Sequence, residues 1–199
     1  MKTQNEFPGS ISLPFGIKTS HTWHEIGQLL RIINDLDVET FVEIGVHVGG
    51  LASMISSVAH YKPFVYQGVE IAEALIDDRI KPLVFCGDAL SPVTRHYVST
   101  VSGVGKGTKF IYCDGGDKIG EMRFYWELLN TGDMIACHDY FDGQKVFGMD
   151  GFGFDDGKCG CKPEVWRESL DFLFDNPAFE EMDHYLLEGT RIMGFVKIS

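Results

Sequence analysis

Five places along this chain could do chemistry, each an acid closing an apolar run: Glu43, Glu70, Asp88, Asp114 and the pair His138-Asp139. Carboxylates accept hydrogen bonds from a ligand's hydroxyl and amino groups, and in clusters they hold hard divalent cations through oxygen alone. His138 adds an imidazole whose ordinary pKa suits it to taking up a proton near neutrality. Between the first two acids lies Gly45-Val46-His47-Val48-Gly49-Gly50, whose glycines let the backbone turn sharply and come close to a ligand. The helical spacing of Leu51, Ala52, Met54, Ile55 and Val58 then predicts a helix whose free N–H groups point at the same place. A strand, a glycine turn and a helix start define a small-ligand pocket.

Positioning these residues requires an alternating scaffold. Apolar runs predict strands over 40–45, 64–69, 82–86, 109–113 and 132–137, with helices over 49–60, 72–79, 91–101 and 118–130. A further helix over 22–36 is announced by the capping box Thr22-Trp23-His24-Glu25 and by Trp23, Ile26, Leu29, Leu30 and Ile33 at helical spacing. Alternation of this kind means βαβ units, a parallel sheet and right-handed crossovers. Near the end, Met182–Leu187 and Arg191–Val196 flank Glu188-Gly189-Thr190, which predicts an antiparallel hairpin. In such sheets ligands bind beyond the carboxyl ends of the strands, where the strand order reverses. All five acidic positions fall at strand ends.

At 199 residues, 44% hydrophobic and 23% charged, the chain reads as one globular domain. Residues 1–20, with Pro8, Gly9, Pro14 and Gly16, read as an irregular arm, and 141–162 as an aromatic and glycine-rich insertion able to act as a lid or a subunit contact. Pro163 should open a helix with Val165, Trp166, Ser169, Leu170 and Leu173 inward. A net charge of −12 argues against a nucleic-acid backbone as partner. No apolar run approaches the roughly 20 residues that span a bilayer, and Met1–Glu6 lacks a signal peptide's pattern, so a cytoplasmic location with no membrane partner is expected. Cys86, Cys113 and Cys137 end apolar runs and read as packed thiols, while Cys159 and Cys161 lack a second ligand pair for a metal.

Phe110–Asp117 (FIYCDGGD), Leu128–Asp133 (LLNTGD) and Ala136–Tyr140 (ACHDY), with Glu70 and Cys86-Gly87-Asp88-Ala89, resemble the motifs of class I S-adenosylmethionine-dependent methyltransferases, in particular the small-molecule O-methyltransferase branch. The resemblance runs from about residue 40 to the C-terminus. It implies a Rossmann-like, doubly wound, seven-stranded and mostly parallel sheet with an antiparallel C-terminal hairpin and helices on both faces. It also implies S-adenosyl-L-methionine as cofactor. Glu70, followed by Ile71, would hold the ribose hydroxyls, Asp88 and Ala89 the adenine, and Gly45 and Gly49 the methionine part; Glu43 would orient that loop or meet the cofactor's amino group. His138 would be the base that deprotonates a small-molecule acceptor, with Asp114 and Lys118 as further catalytic candidates. In metal-dependent relatives, acids after the fourth and fifth strands bind Mg²⁺ or another divalent cation; Asp114 and Asp139 match them, and Asp117, where the pattern usually has histidine, adds a third oxygen ligand.

Other readings remain beside this one. A dinucleotide-dependent oxidoreductase is disfavoured because Gly45 is followed by Val46-His47-Val48, which breaks the G-x-G-x-x-G spacing. The same fold could carry hydroxylase-like chemistry, or serve a non-catalytic binding or assembly role, and a homo-oligomer is open.

Overall fold

Val42 and Ile44 point to one side of strand β1 (Val38–Ile44), and Phe41 and Glu43 to the other; that alternation sets the two faces of the sheet. The computed structural model describes residues 11–12, 16–101, 107–141, 164–182 and 190–199. β1 is followed by β2 (Val65–Glu70), β3 (Val84–Cys86), β4 (Thr108–Cys113), β5 (Met134–Cys137), β6 (Phe179–Glu181) and β7 (Met193–Lys197). These form one 7-stranded sheet in the order β6-β7-β5-β4-β1-β2-β3. β1 to β5 pair in parallel, and β7 runs antiparallel to both β5 and β6. The Rossmann-like doubly wound sheet expected from the sequence is what the chain forms.

Helices cover both faces. α1 (Trp23–Asp35) and α2 (Gly50–Ser56) bury Ile26, Leu29, Ile32, Leu51 and Ile55 against Phe41, Phe110 and Tyr112. On the other face, α3 (Pro92–Val101), α4 (Lys118–Tyr125) and α5 (Asp171–Phe174) pack Val98, Met122, Tyr125 and Leu173 against Val42, Ile44, Ile111 and Ile135. The Thr22 capping box is complete: the Thr22 hydroxyl accepts from Glu25 N–H at 3.1 Å, and Glu25 Oε2 accepts from Thr22 N–H at 2.7 Å. Among the described residues, no helix is long and apolar enough to cross a membrane.

Several expectations need correction. The helix predicted over 72–79 is a single 3₁₀ turn, Glu73–Leu75, because Asp77 Oδ1 captures the N–H of Arg79 at 3.0 Å and so competes with helix continuation. α2 tightens into a 3₁₀ turn over Ser57–His60, with the Ser53 and Ser57 hydroxyls donating to the carbonyls of Gly50 and Met54. α4 likewise ends in 3₁₀ geometry over Trp126–Leu128. The hairpin partner of β7 begins at Phe179, earlier than the predicted Met182, with Glu181 opposite Phe195; residues 183–189, including Glu188-Gly189, lie outside the described residues. Val165 and Trp166 are extended rather than helical, since the N–H groups of Glu164 and Val165 both donate to Asp139 O and draw the segment beside Tyr140–Phe141. Trp166 is accordingly exposed, while Leu170 and Leu173 are buried as expected. The irregular arm contains a short antiparallel ribbon, Ile11–Ser12 with Lys18–Thr19. Cys113 and Cys137 are buried thiols, but Cys86 is exposed. The 142–162 part of the insertion, with Phe147, Phe152, Phe154, Cys159 and Cys161, lies outside the described residues, as does Pro163.

The strand order reverses between β1 and β4, and there the backbones nearly touch. Asp114 N–H donates to Ile44 O at 2.7 Å, and a Cβ on Gly45, whose φ is +90°, would lie 2.5 Å from Asp114 O. Glycine at 45 is therefore required twice over, by backbone angle and by space. Gly45→Ala is expected to lower unfolding stability by about 1–3 kcal/mol, the cost of one strained residue, read as a lower denaturant midpoint.

Candidate active site

Because β1 to β5 are parallel, the residues that follow them emerge on one rim. Glu70, closing β2, is the strut between two loops: its Oε2 accepts from His47 N–H at 2.7 Å and its Oε1 from Ala72 N–H at 2.9 Å. Beside it, Ile71 is 73% exposed. Past β3, Asp88 Oδ1 accepts from Leu90 N–H at 2.9 Å, and Ala89 O accepts from the Tyr125 hydroxyl. Gly49, with φ +92°, starts α2 in the left-handed region, and a Cβ there would crowd Ile80 at 3.0 Å. Glu70, Ile71, Asp88, Ala89, Gly45 and Gly49 thus share the rim with Asp114. Glu43 does not reach it. It is buried under the loop, accepts the Tyr66 hydroxyl at 2.5 Å, and is pushed well above the usual carboxylate range by desolvation.

Asp114 is the centre of a second constellation. Its Oδ1 lies 3.2 Å from His138 Nδ1, and its Oδ2 lies 3.3 Å from His21 Nε2. The two imidazoles stack with ring centroids 4.5 Å apart. Each far nitrogen is held by oxygen: His21 Nδ1 by Thr19 Oγ1 at 3.2 Å, and His138 Nε2 by Glu25 Oε1 at 3.3 Å. Tyr112 places its hydroxyl 3.1 Å from His21 Nε2. Arg191 ties the group together, its Nε 3.0 Å from Glu25 Oε1 and its Nη1 2.9 Å from Asp139 Oδ1. Lys118 Nζ reaches Glu164 at 2.5 Å, Asp139 at 3.4 Å and Asp114 at 3.6 Å.

These distances set the charges. Burial opposes a charge on His138, but Asp114 and Glu25 on its two sides outweigh it and raise the pKa to about 10. His138 is therefore an imidazolium here and not the proton acceptor expected from its sequence position. His21 is the neutral imidazole: burial and the neighbouring His138 cation lower its pKa to about 4. Asp114 is held at about 2 despite its burial, chiefly by His138. Lys118 is raised above its ordinary value by Asp114, Glu164 and Asp139, against its own desolvation. It is a fixed cation, not a base.

The oxygen-only cation site does not fit these residues. Asp117 caps α4, accepting Gly120 N–H at 2.9 Å, and is turned to that helix. Asp139 is occupied by Arg191 and Lys118, and Asp114 by two imidazoles and Lys118. Among the described residues, the side chains placed to share an ion are His21, Asp114 and His138, whose candidate ligand atoms lie within 4.8 Å of one another.

His21, Glu25, Tyr112 and Arg191 were not legible as site residues. Glu25 carried a signal: it sits at helical spacing with Leu29 and Ile32, an acid on the apolar stripe of α1, where it serves as both cap and ion-pair partner. His21 lies in the arm and Arg191 at the start of the predicted last strand, positions with no local sign of a site, and only tertiary packing brings them to Asp114 and Glu25.

No family profile and no curated protein matches the sequence. The fold, in contrast, is widely shared. A methyltransferase of Podospora anserina, PaMTH1, bound to S-adenosylhomocysteine, matches at TM-score 0.58 and 15% identity over 90% of this chain and 80% of its own. The O-methyltransferase TomG from Streptomyces achromogenes, in complex with S-adenosylmethionine, matches at 0.55 and 13%, over 94% and 84%. CmcI in a form with Mg²⁺ and S-adenosylmethionine matches at 0.62 and 14%, over 92% and 75%. At this level of identity the likeness is one of fold: the chain shares the seven-stranded, mostly parallel sheet of these solved structures.

Glu121 supports the loop after β4 by accepting Gly115 N–H at 3.2 Å, and burial raises its pKa to about 7. A raised carboxyl binds its proton more tightly in the folded state, so its stabilising contribution is complete below about pH 4.5 and is lost as pH rises through 7. Glu121→Gln, which keeps the acceptor, should flatten the pH dependence of stability between those values and raise stability at pH 8 by about 1–3 kcal/mol in urea titrations.

Proposed function

We propose that this protein transfers a methyl group from S-adenosyl-L-methionine to a hydroxyl of a small-molecule acceptor. The observation that carries the reading is the common rim: Glu70 and Asp88 follow adjacent strands, and Gly45 contacts the backbone of Asp114 where the strand order reverses. Glu70 is pre-oriented by two backbone N–H groups, and each of its oxygens retains a lone pair for a ribose hydroxyl. Exposed Ile71 offers the adenine an apolar face, and Asp88 an acceptor for its amino group. The glycine loop gives the methionine part close access to the start of α2.

A sulfonium methyl is already activated; the protein's task is to align the acceptor and receive its proton. His21, the buried neutral imidazole held against Asp114, is the group of this cluster open to a proton, and Asp114 itself adjoins the glycine loop. Lys118 and Arg191 fix the surrounding carboxylates, so the set is organised before the acceptor arrives. A net charge of −12 favours a small acceptor over a nucleic acid.

Calorimetric titration with S-adenosylhomocysteine should show one site per chain. Asp88→Ala and Glu70→Ala should each weaken it about 10- to 100-fold, the loss of a hydrogen bond to a charged group. Unchanged affinity in both variants would remove the pocket assignment.

A further inference from the structure

We infer that Tyr125, reaching the rim from α4, is a positioning residue for the purine of the cofactor: its hydroxyl fixes the peptide group that orients Asp88, and with it the preference for a 6-amino over a 6-oxo purine. The inference rests on the methyl-transfer reading, in which Asp88 meets the adenine amino group, and adds to it a residue that no strand end supplies.

The first observation is one peptide group held at both ends. Tyr125 donates its hydroxyl to Ala89 O. The N–H of the same peptide group, that of Leu90, donates to Asp88 Oδ1 at 2.9 Å. The peptide is planar, so turning its carbonyl away from Tyr125 also turns its N–H away from Asp88. With Oδ1 engaged, Oδ2 is the oxygen that meets a ligand's donor, and Asp88 is exposed to do so.

The second is the preceding peptide group, which is held from the opposite side. Asp88 O accepts from Ser91 N–H at 3.1 Å and from the Thr94 hydroxyl at 2.6 Å. The N–H of that group, on Ala89, has no acceptor among the described residues. An unengaged donor therefore stands beside an unengaged acceptor. Adenine offers the complement, a ring nitrogen that accepts and an amino group that donates. A 6-oxo purine reverses both, setting a carbonyl against the carboxylate and an N–H against the Ala89 N–H. Discrimination of this kind requires both peptide planes to stay in place. The start of α3 holds one, and Tyr125 holds the other.

The third is how firmly Tyr125 is itself held. Its side chain is 0% exposed in the core between α4 and the sheet, and burial raises the pKa of its phenol, so the hydroxyl stays a donor. Glu121, four residues earlier on the same face of α4, accepts Gly115 N–H at 3.2 Å. A Cβ on Gly45 would lie 2.5 Å from that Gly115 nitrogen. One helix face thus holds both the loop beside the purine and the loop that abuts the glycine turn.

The test is calorimetric titration of the full chain with S-adenosylhomocysteine and with its 6-oxo counterpart, S-inosylhomocysteine. The wild type should prefer the adenosyl ligand by about 10-fold or more. Tyr125→Phe should weaken S-adenosylhomocysteine about 3- to 10-fold, the loss of one hydrogen bond, and change S-inosylhomocysteine by less than about 2-fold. In an Asp88→Ala background the same substitution should change S-adenosylhomocysteine affinity by less than about 2-fold, because the two residues act as one unit. A merely structural tyrosine would weaken both ligands equally. Equal weakening, an unchanged S-adenosylhomocysteine affinity in Tyr125→Phe, or full additivity with Asp88→Ala overturns the inference. Equal affinity of the wild type for the two ligands overturns it without any variant. Each of these results leaves S-adenosylhomocysteine binding, and so methyl transfer, standing; failure of the wild type to bind either ligand removes both.

Discussion

A carboxylate buried where two strands nearly meet has to be neutralised, and that need organises this protein. Asp114 leaves β4 at the point of reversal with its backbone against Gly45, so its side chain has little freedom to seek water. An isolated buried charge is costly, and breaking a buried pair costs several kcal/mol. The chain meets the demand with two imidazoles and a lysine, and then has to satisfy those in turn. Glu25 answers His138, Arg191 answers Glu25 and Asp139, and Glu164 answers Lys118. Half of the architecture is recruited to one small volume by electrostatics.

That network explains why segments outside the sheet's central strands matter. The arm contributes Thr19 and His21, the first turn of α1 contributes Glu25, and the approach to β7 contributes Arg191. A Cβ at Gly50 would lie 2.2 Å from Lys18 O, so the start of α2 is also fitted to the arm. The rim used for a cofactor and the network around Asp114 are therefore mechanically joined: the glycine loop rests on Asp114 on one side and is strapped by Glu70 on the other.

Much of the scaffold was legible because its signals are local. Val42, Ile44, Ile111 and Ile135 are apolar and β-branched, and the five parallel strands lie within a few residues of their expected bounds. The Thr22 box marked the start of α1. Where local chemistry competed, reading failed: the Asp77 side chain ended a helix pattern, and the Asp139 carbonyl drew Val165 into an extended pairing. The shared position of Glu70, Asp88 and Asp114 was legible from topology, since parallel strands deliver their ends to one edge. The states of His138 and Lys118 were not, because they depend on Glu25, Arg191 and Glu164 from distant parts of the chain.

The amino-acid sequence by itself determined the layers, the order of strands and helices, and the rim on which the acids gather, because periodicity and turn chemistry act over a few residues. Only the tertiary structure decided which imidazole is neutral, which carboxylates are taken by cations, and that His21 joins Asp114 and His138. Charge is set by neighbours in space. In a buried site those neighbours come from segments that no local pattern connects.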